Sequence, residues 1–404
     1  MGSEGTGRRV LSGMRPTGRL HLGHYHGVVK NWVALQQEHQ CCFFVADWHA
    51  LTTGYDDTGE LERHSFDMVV DWLAAGVNPS AAVIFIQSKV PEHAELHLLL
   101  SMITPVSWLE RAPSYKDMQA RLNDRDLATY GFLGYPVLQA ADILIYRAGG
   151  VPVGADQVAH VELCREIARR FNHLFGRESD FEARCEAALR KIGRKASRLY
   201  GGLRKAFLEQ GDGEALARGR ALLAEQRNLS AGDRERLLGY LEGSGRTILP
   251  EPEALLTEQP KVPGLDGEKM SKSYGNTISL REAPDAVARK VRGMKTDPAR
   301  VRRSDPGEPG NCPVYSLHRI YSDPATLDWA AAGCRSAGIG CVDCKAPLID
   351  AINAEQAVMI ERARPFEEQP DLVRGVLQEG SEKARSLARE TLDDVRANMR
   401  IAHQ

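Results

Sequence analysis

Residues 10–24 have the sequence VLSGMRPTGRLHLGH, which joins a short strand to a loop and then to the start of a helix. Residues 10–12 are the strand, and residues 13–18 are rich in turn-forming glycine and proline. Residues 24–38 carry apolar side chains at helical spacing, which predicts an amphipathic helix. A strand that leads through a turn into a helix is the repeating step of α/β folds.

The same alternation continues through the first 176 residues. Further strands are predicted at residues 42–46, 82–86 and 151–154, with helical patterns between them. Parallel strands connected by helices form a sheet that is covered on both faces. The sequence therefore predicts an α/β fold with a doubly wound parallel sheet.

Changes in composition predict four parts, residues 1–176, 177–247, 248–282 and 283–404. Residues 177–246 contain 15 Lys and Arg against 11 Asp and Glu, a net charge of +4, and apolar residues recur there at helical spacing. We interpret 177–247 as an inserted basic helical segment whose contact with nucleic acid is a hypothesis. Strand and loop signals return at 248–282, and the remainder is predicted to be all-helical.

The bulk composition excludes some classes of protein. The 404 residues have a net charge of −2, so a nucleic-acid partner requires a local basic surface. The N-terminus has no apolar signal-peptide core, and the longest apolar runs are too short to span a bilayer. We expect a cytoplasmic protein with no membrane partner, whose eight cysteines are reduced.

Two short motifs carry the predicted chemistry. Gly23 lets a flat ring approach the backbone, and the imidazoles of His21 and His24 can donate hydrogen bonds to phosphate oxygens. Lys269 and Lys272, in the string KMSKS at residues 269–273, are three positions apart in a glycine-rich loop and can both reach a polyphosphate. Alternatively, His21 and His24 are ordinary surface histidines at a helix start, and residues 269–273 are a solvated basic loop. No GxxxxGK[ST] loop is present in the sequence.

The two motifs together resemble the HIGH and KMSKS signatures of class I aminoacyl-tRNA synthetases, with Leu22 in place of isoleucine. In that family the signatures flank ATP on a Rossmann-like sheet. The resemblance implies that Lys269 and Lys272 stabilise the leaving pyrophosphate. The implied catalytic residues are His21, Gly23, His24, Lys116, Lys269 and Lys272.

Three stretches resemble tryptophanyl-tRNA synthetases in particular, namely residues 13–18, 135–144 and 151–162. The resemblance implies that Asp142 binds the indole nitrogen, whose N–H is only a donor. Tyr135 and Gln157 would bind the α-amino group, and His49 would lie near the substrate carboxylate. The implied ATP-binding residues are Met14, Arg15, Thr17, Gly23, His24, Gly154, Asp156, Lys269, Met270, Ser271 and Lys272. A helix-terminal Asp142 and a structural His49 are the alternatives.

Cys312, Cys334, Cys341 and Cys344 form the pattern C-x21-C-x6-C-x2-C, which indicates a metal site. Four thiolates suit either zinc or an iron–sulfur cluster. A subset of bacterial tryptophanyl-tRNA synthetases carries a 4Fe–4S cluster at nearly this spacing, so the resemblance favours the cluster over Zn²⁺.

The resemblance implies a ligase that activates L-tryptophan with ATP and Mg²⁺ to tryptophanyl-adenylate and transfers it to tRNA(Trp). It also implies a homodimer whose helical part, residues 283–404, binds the anticodon. Three alternatives remain at this point: a tyrosine-specific synthetase, another nucleotidyltransferase with a HIGH motif, and a binding-only paralogue.

Overall fold

A computed structural model describes residues 7–111, 129–176, 180–256 and 261–403. It contains one five-stranded sheet with the strand order β3-β2-β1-β4-β5. The strands are β1 (Arg9–Met14), β2 (Gln40–Val45), β3 (Ala82–Ile86), β4 (Gly150–Val153) and β5 (Glu253–Leu256). β1 pairs with β4 and β2 with β3, both in parallel. The predicted α/β class with a parallel sheet is confirmed.

The predicted strands agree with the observed ones to within two residues. β3 has the predicted bounds. The other three predicted strands begin and end one or two residues away from their predicted bounds, because strand pairing does not stop where the apolar run stops. The register of β2 on β3 runs without interruption from Cys41 opposite Ala82 to Val45 opposite Ile86.

Helices connect the strands throughout the described chain. The first helix has three sections, α1 (Leu22–His24), a π-helical turn (Tyr25–Val29) and α2 (Lys30–Leu35). Up to residue 176 the others are α3 (Asp47–Gly54), α4 (Leu61–Ala75), α5 (Glu92–Ser101), α6 (Val106–Glu110), α7 (Tyr130–Leu133), α8 (Tyr135–Ile145) and α9 (Val158–Phe175). Beyond it they are α10 (Phe181–Lys191), α11 (Gly193–Gln210), α12 (Gly213–Ala224), α13 (Ala231–Leu241), α14 (Pro284–Gly293), α15 (Pro313–Tyr321), α16 (Pro324–Arg335), α17 (Cys341–Glu368) and α18 (Pro370–Met399).

The described contacts divide the chain into two compact units. Unit 1 comprises Met1–Gly7, Ser12–Ile86 and Leu256–Ser381. Its core contains the ring of Trp32 stacked on Phe43 at 4.4 Å, with Trp72 edge-on to Trp32 at 5.1 Å. Aromatic packing of this kind fixes the first helix and α4 against β2.

Unit 2 comprises Arg8–Leu11, Gln87–Leu255 and Glu382–Gln404. Within it the inserted segment forms four helices, α10 to α13, with a hydrophobic core of their own. Tyr200 is fully buried in that core and donates its hydroxyl proton to the carbonyl of Leu237 at 2.5 Å. Residues 181–241 thus form a small helical bundle.

From residue 283 onward, every regular element that the structure describes is helical. Across the described part of the chain, no helix combines the length and apolar composition needed to cross a bilayer.

Candidate active site

The histidine pair lies where the loop after β1 enters the first helix. His21 has an extended backbone directly before α1, and its N–H donates to Nδ1 of His24 at 3.3 Å. The two rings lie with their centroids 3.7 Å apart. Nδ1 of His21 is buried and has no hydrogen-bond partner among the described residues. A buried ring nitrogen in this state is suited to an oxygen-rich ligand.

Gly23 lies where its backbone packs closely against the His21 ring and Met270. A Cβ at this position would lie 3.0 Å from the His21 ring and 3.6 Å from Cβ of Met270. Any larger residue would have to displace the histidine ring, so the glycine keeps the imidazole in place.

Backbone hydrogen bonds join this turn to the chain that follows Lys269–Ser273. The N–H of Leu22 donates to the carbonyl of Ile278, and the N–H of Leu280 donates to the carbonyl of Leu20, both at 3.0 Å. The two segments are therefore neighbouring antiparallel strands of chain, although they are far apart in sequence.

Lys272 makes the closest link between the two motifs. Its Nζ donates to the carbonyls of Gly18 at 2.8 Å and Thr17 at 2.9 Å, and to Oγ1 of Thr17 at 3.2 Å. Gly18 has a φ of +95°, which only glycine adopts without strain. The structure thus brings together the loop of residues 13–18, the histidine pair and the second lysine of KMSKS.

Burial and positive charge set the protonation of this group. Burial first, and then Lys272 and Lys269, lower the pKa of His21 to about 4. Burial, then the His21 ring and the same lysines, lower the pKa of His24 to about 3. Burial lowers the pKa of Lys272 to about 8, against the opposing effect of Asp71. At pH 7 both imidazoles are neutral and the ammonium is charged.

Asn276 organises the KMSKS loop and was not identified from the sequence. Its Oδ1 accepts from the N–H of Ser271 at 2.8 Å. Its Nδ2 donates to Oδ1 of Asp266 at 2.7 Å and to the carbonyl of Lys269 at 3.2 Å. These bonds hold the loop around the buried amide of Asn276. Met270 is buried in this arrangement and Ser271 is half-buried.

A buried ion pair supports the same region and was also not predicted. Oδ1 of Asp71 accepts from Nε of Arg281 at 2.6 Å, and Oδ2 accepts from the N–H of Leu20 at 2.7 Å. Burial raises the pKa of Asp71, although Arg281 opposes that shift. The pair fixes α4, the residue before His21 and the chain after Ile278 in one arrangement.

We expect Arg281→Met to lower the free energy of unfolding by about 3–5 kcal/mol, because it leaves a buried carboxylate without its cation. Urea unfolding followed by circular dichroism measures the loss. The double variant Asp71→Asn/Arg281→Met should lose less than Arg281→Met alone. A loss in the double variant equal to the sum of the losses in Asp71→Asn and Arg281→Met would show that the pair has no coupling.

The π-helical turn after the histidine pair presents a second buried histidine to the C-terminal helices. Nε2 of His26 lies 2.8 Å from the hydroxyl of Tyr321 and 3.3 Å from Oε2 of Glu355. Burial, with Glu355 adding to it, raises the pKa of Tyr321 well above its usual value. Isolated π turns often occur at functional sites, and the sequence pattern did not reveal this one.

In unit 2, Asp142 is the centre of a buried polar cluster. Its Oδ1 accepts from Nε2 of Gln87 at 2.8 Å and lies 2.6 Å from Nδ1 of His93. Nε2 of His93 lies 2.7 Å from the hydroxyl of Tyr146. If Asp142 is ionised, His93 donates through Nδ1. Gln87 directly follows β3, and ligand-binding groups gather at the carboxyl ends of parallel strands. Its position in the sequence could therefore have identified it as a candidate site residue.

Other predicted residues of unit 2 lie near α8 and α9. Tyr135 begins α8, and its ring is edge-on to His160 at 6.2 Å. Nδ1 of His160 lies 2.8 Å from Oε1 of Gln139. Gly154 directly follows β4, and its carbonyl accepts from the N–H of Gln157 at 3.0 Å. Lys116 and the side chain of Asp156 lie outside the described residues.

The remaining predicted residues belong to unit 1. The carbonyl of Met14 accepts from the N–H of Ala46 at 2.9 Å, and Arg15 follows it half-buried. His49 is buried in α3, directly after the carboxyl end of β2.

The four predicted metal-ligating cysteines gather around the start of α17. Cys341 and Cys344 lie in its first turn, Cys312 precedes α15 and Cys334 lies in α16. Burial first, and then the other three thiols, raise the pKa of the Cys344 thiol to about 12. In the described chain, no group of three or more His, Cys, Asp or Glu side chains is arranged to hold a metal ion.

Comparison with known proteins places these features in one family. The family model described as class I tRNA synthetases (W and Y) matches residues 4–187 and 229–355. Tryptophan–tRNA ligase of Ralstonia nicotianae is 60% identical over 395 residues, covering 98% of this chain and 99% of the relative. The corresponding ligase of Thermotoga maritima is 45% identical, covering 97% and 99%.

A solved structure has the same fold. Tryptophanyl-tRNA synthetase from Campylobacter jejuni, in complex with ADP and tryptophan, superposes with a TM-score of 0.72 at 28% identity and covers 97% of this chain and 99% of that one. This chain belongs to the tryptophanyl-tRNA synthetases, the class I ligases that activate tryptophan with ATP and load it onto tRNA.

Proposed function

We propose that unit 1 binds ATP through His21, Gly23, His24, Lys269 and Lys272. The observation that supports this assignment is the contact of Lys272 with Thr17 and Gly18, beside the histidine pair. Met14, Arg15, Thr17, Met270 and Ser271 would complete the unit 1 contacts. Gly154, Asp156 and Lys116 are proposed to contact ATP from other parts of the chain.

The chemistry follows from the charges at this site. The tryptophan carboxylate attacks the α-phosphorus of ATP, the bond to the bridging oxygen breaks, and pyrophosphate leaves with Mg²⁺. Neutral His21 and His24 donate N–H groups to phosphate oxygens, and charged Lys272 stabilises the leaving group. A ribose hydroxyl of tRNA then attacks the adenylate and releases AMP. Positioning and charge stabilisation suffice for both steps.

Tryptophan recognition is proposed to rest on Asp142, with Tyr135 and Gln157 on the α-amino group and His49 near the carboxylate. Gln87 and His93 hold the Asp142 carboxylate in a fixed orientation. ATP–pyrophosphate exchange assayed with each of the twenty amino acids tests the assignment. Exchange that depends on tryptophan alone is expected, and exchange with tyrosine at a comparable rate would overturn it.

The pH profile tests the role of Lys272. Because its pKa of about 8 lies near neutrality, kcat/KM for ATP should fall as the pH rises through that value and the ammonium loses its proton. His21 and His24 stay neutral above about pH 5, so they should produce no decline between pH 5 and 7. Lys272→Arg keeps its charge at high pH and should lose the alkaline decline. An identical decline in both proteins would assign it to another group.

The four cysteines are proposed to bind a 4Fe–4S cluster, with Zn²⁺ as the alternative metal. Their spacing and their mutual effect on pKa support a common site, and the donor set consists of thiols, the ligands that such clusters use. A cluster there would cross-link α15, α16 and α17.

Iron and sulfide analysis of anaerobically purified protein, with its visible spectrum, tests the cluster. About four irons and four sulfides per chain are expected for a 4Fe–4S cluster. Cys344→Ser should lose most of the iron, whereas Cys164→Ser, which replaces a buried thiol in unit 2, should retain it. A colourless protein with one zinc would contradict the cluster.

We also propose that the chain is a homodimer and that residues 283–404 bind the anticodon, both implied by the family. In this division residues 1–176 and 248–282 are catalytic and 177–247 is an insertion. Sedimentation equilibrium measures the mass directly, and a value near 44.6 kDa, the mass of one chain, would exclude the dimer.

A further inference from the structure

The inserted bundle carries an open groove on the outer side of α11. The groove has a volume of about 570 Å³ and belongs to unit 2 alone. Its lining residues are Arg194, Lys195, Arg198, Leu199, Gly202 and Leu203. The family model leaves residues 188–228 unmatched, so this surface lies outside the shared catalytic fold.

The cations of the groove differ from their neighbours. Arg190 and Lys205 on the same bundle form ion pairs with acids one helical turn away. Arg194, Lys195 and Arg198 are exposed, and no ion pair joins any of them to a described residue. Three unpaired positive charges within five positions create a local positive potential on a chain whose net charge is −2.

Gly202, in the middle of α11, lines the groove and leaves part of its floor bare, and Gly201 precedes it. A Cβ at Gly201 or at Gly202 would meet no atom within 4 Å, so internal packing does not require glycine at either position. Glycine in a helix interior destabilises the helix relative to alanine. Tyr200 is fully buried in the bundle core whereas Gly202 is exposed, so the bare part of the groove faces away from that core.

We propose that this groove binds the sugar–phosphate backbone of the tRNA substrate. The three cations contact phosphates, Gly202 lets the backbone approach the helix, and the exposed part of Leu199 packs on a ribose. A second copy of the groove is disfavoured as an occupant because like charges would meet. The inference rests on tRNA being the substrate of this chain.

The test compares two triple variants with the same loss of charge. The groove variant is Arg194→Gln/Lys195→Gln/Arg198→Gln. The control variant is Arg190→Gln/Lys205→Gln/Arg218→Gln, whose residues are on the same bundle but do not line the groove. The probe is a tRNA(Trp) transcript, with Kd measured by filter binding from 50 to 200 mM KCl.

The groove variant should bind the transcript about tenfold more weakly at low salt, and its slope of log Kd against log[KCl] should be shallower by about 2 to 3 units. Tryptophan-dependent pyrophosphate exchange needs no tRNA, so it should be unchanged in both variants. If the wild-type chain showed no tryptophan-dependent exchange, the enzyme function itself would be contradicted and not only the groove proposal. Equal effects of the two variants, or an unchanged slope in the groove variant, would overturn the proposal.

Gly202→Ala is a second test, in which stability and transcript binding should change in opposite directions. Alanine should raise the unfolding temperature because it favours the helix, yet weaken transcript binding because its methyl group occupies the approach. A variant that is stabilised and binds the transcript as tightly as wild type would count against the bare surface having a role in RNA contact.

Discussion

Lys272→Met should slow tryptophan-dependent ATP–pyrophosphate exchange about 100- to 1,000-fold, or ~2.7–4 kcal/mol of transition-state stabilisation. Methionine has a similar length and no charge, so it fills a similar space but loses the hydrogen bonds of Nζ to Thr17 and Gly18. The lost interaction is with charge that develops on the departing pyrophosphate. The decrease should therefore fall mainly on kcat, with a smaller change in KM for ATP.

Lys261→Met is the matched control. Lys261 is exposed, shortly before the same loop, and it has no ion pair with a described residue. It should keep the exchange rate of the wild-type chain. If Lys272→Met retained a wild-type kcat while folding normally by circular dichroism, the assignment of Lys272 to the leaving group would be wrong.

Local patterns predicted the scaffold of the proposed ATP site well. The strand, turn and helix of residues 10–38 follow from alternating apolar residues and turn formers, and β1 and the first helix occupy that region. The first helix begins two residues earlier than predicted and contains the π turn, since helical periodicity does not distinguish the two hydrogen-bond patterns.

The supporting residues could not be predicted in the same way. Asp71 and Arg281 are 210 positions apart, and Gln87 and Asp142 are 55 apart. A sequence shows that a buried carboxylate needs a partner, but the partner is chosen by the fold. Asn276 resembled an ordinary turn residue, and only the structure shows its amide buried within the KMSKS loop.

Asp142→Asn should lower kcat/KM for tryptophan in the exchange reaction about 100-fold, or ~2.7 kcal/mol, the usual strength of a hydrogen bond to a charged group. Asparagine has the same shape, and its Oδ1 can still accept from Gln87 and His93, so the buried cluster persists. The change removes the negative charge that the indole N–H would meet. An amide N–H in that position would face another donor.

A tryptophan analogue with sulfur in place of the indole nitrogen isolates that single bond. The wild-type chain should discriminate against it strongly, because a buried carboxylate would be left unpaired. Asp142→Asn should use both substrates about equally poorly, since neither substrate then gains from a charged acceptor. Asp180→Asn is an exposed control in unit 2 whose left-handed backbone suits asparagine, and it should keep wild-type selectivity. If Asp142→Asn lowered kcat/KM by the same factor for tryptophan and for the analogue, Asp142 would only stabilise the pocket. Another group would then contact the indole nitrogen.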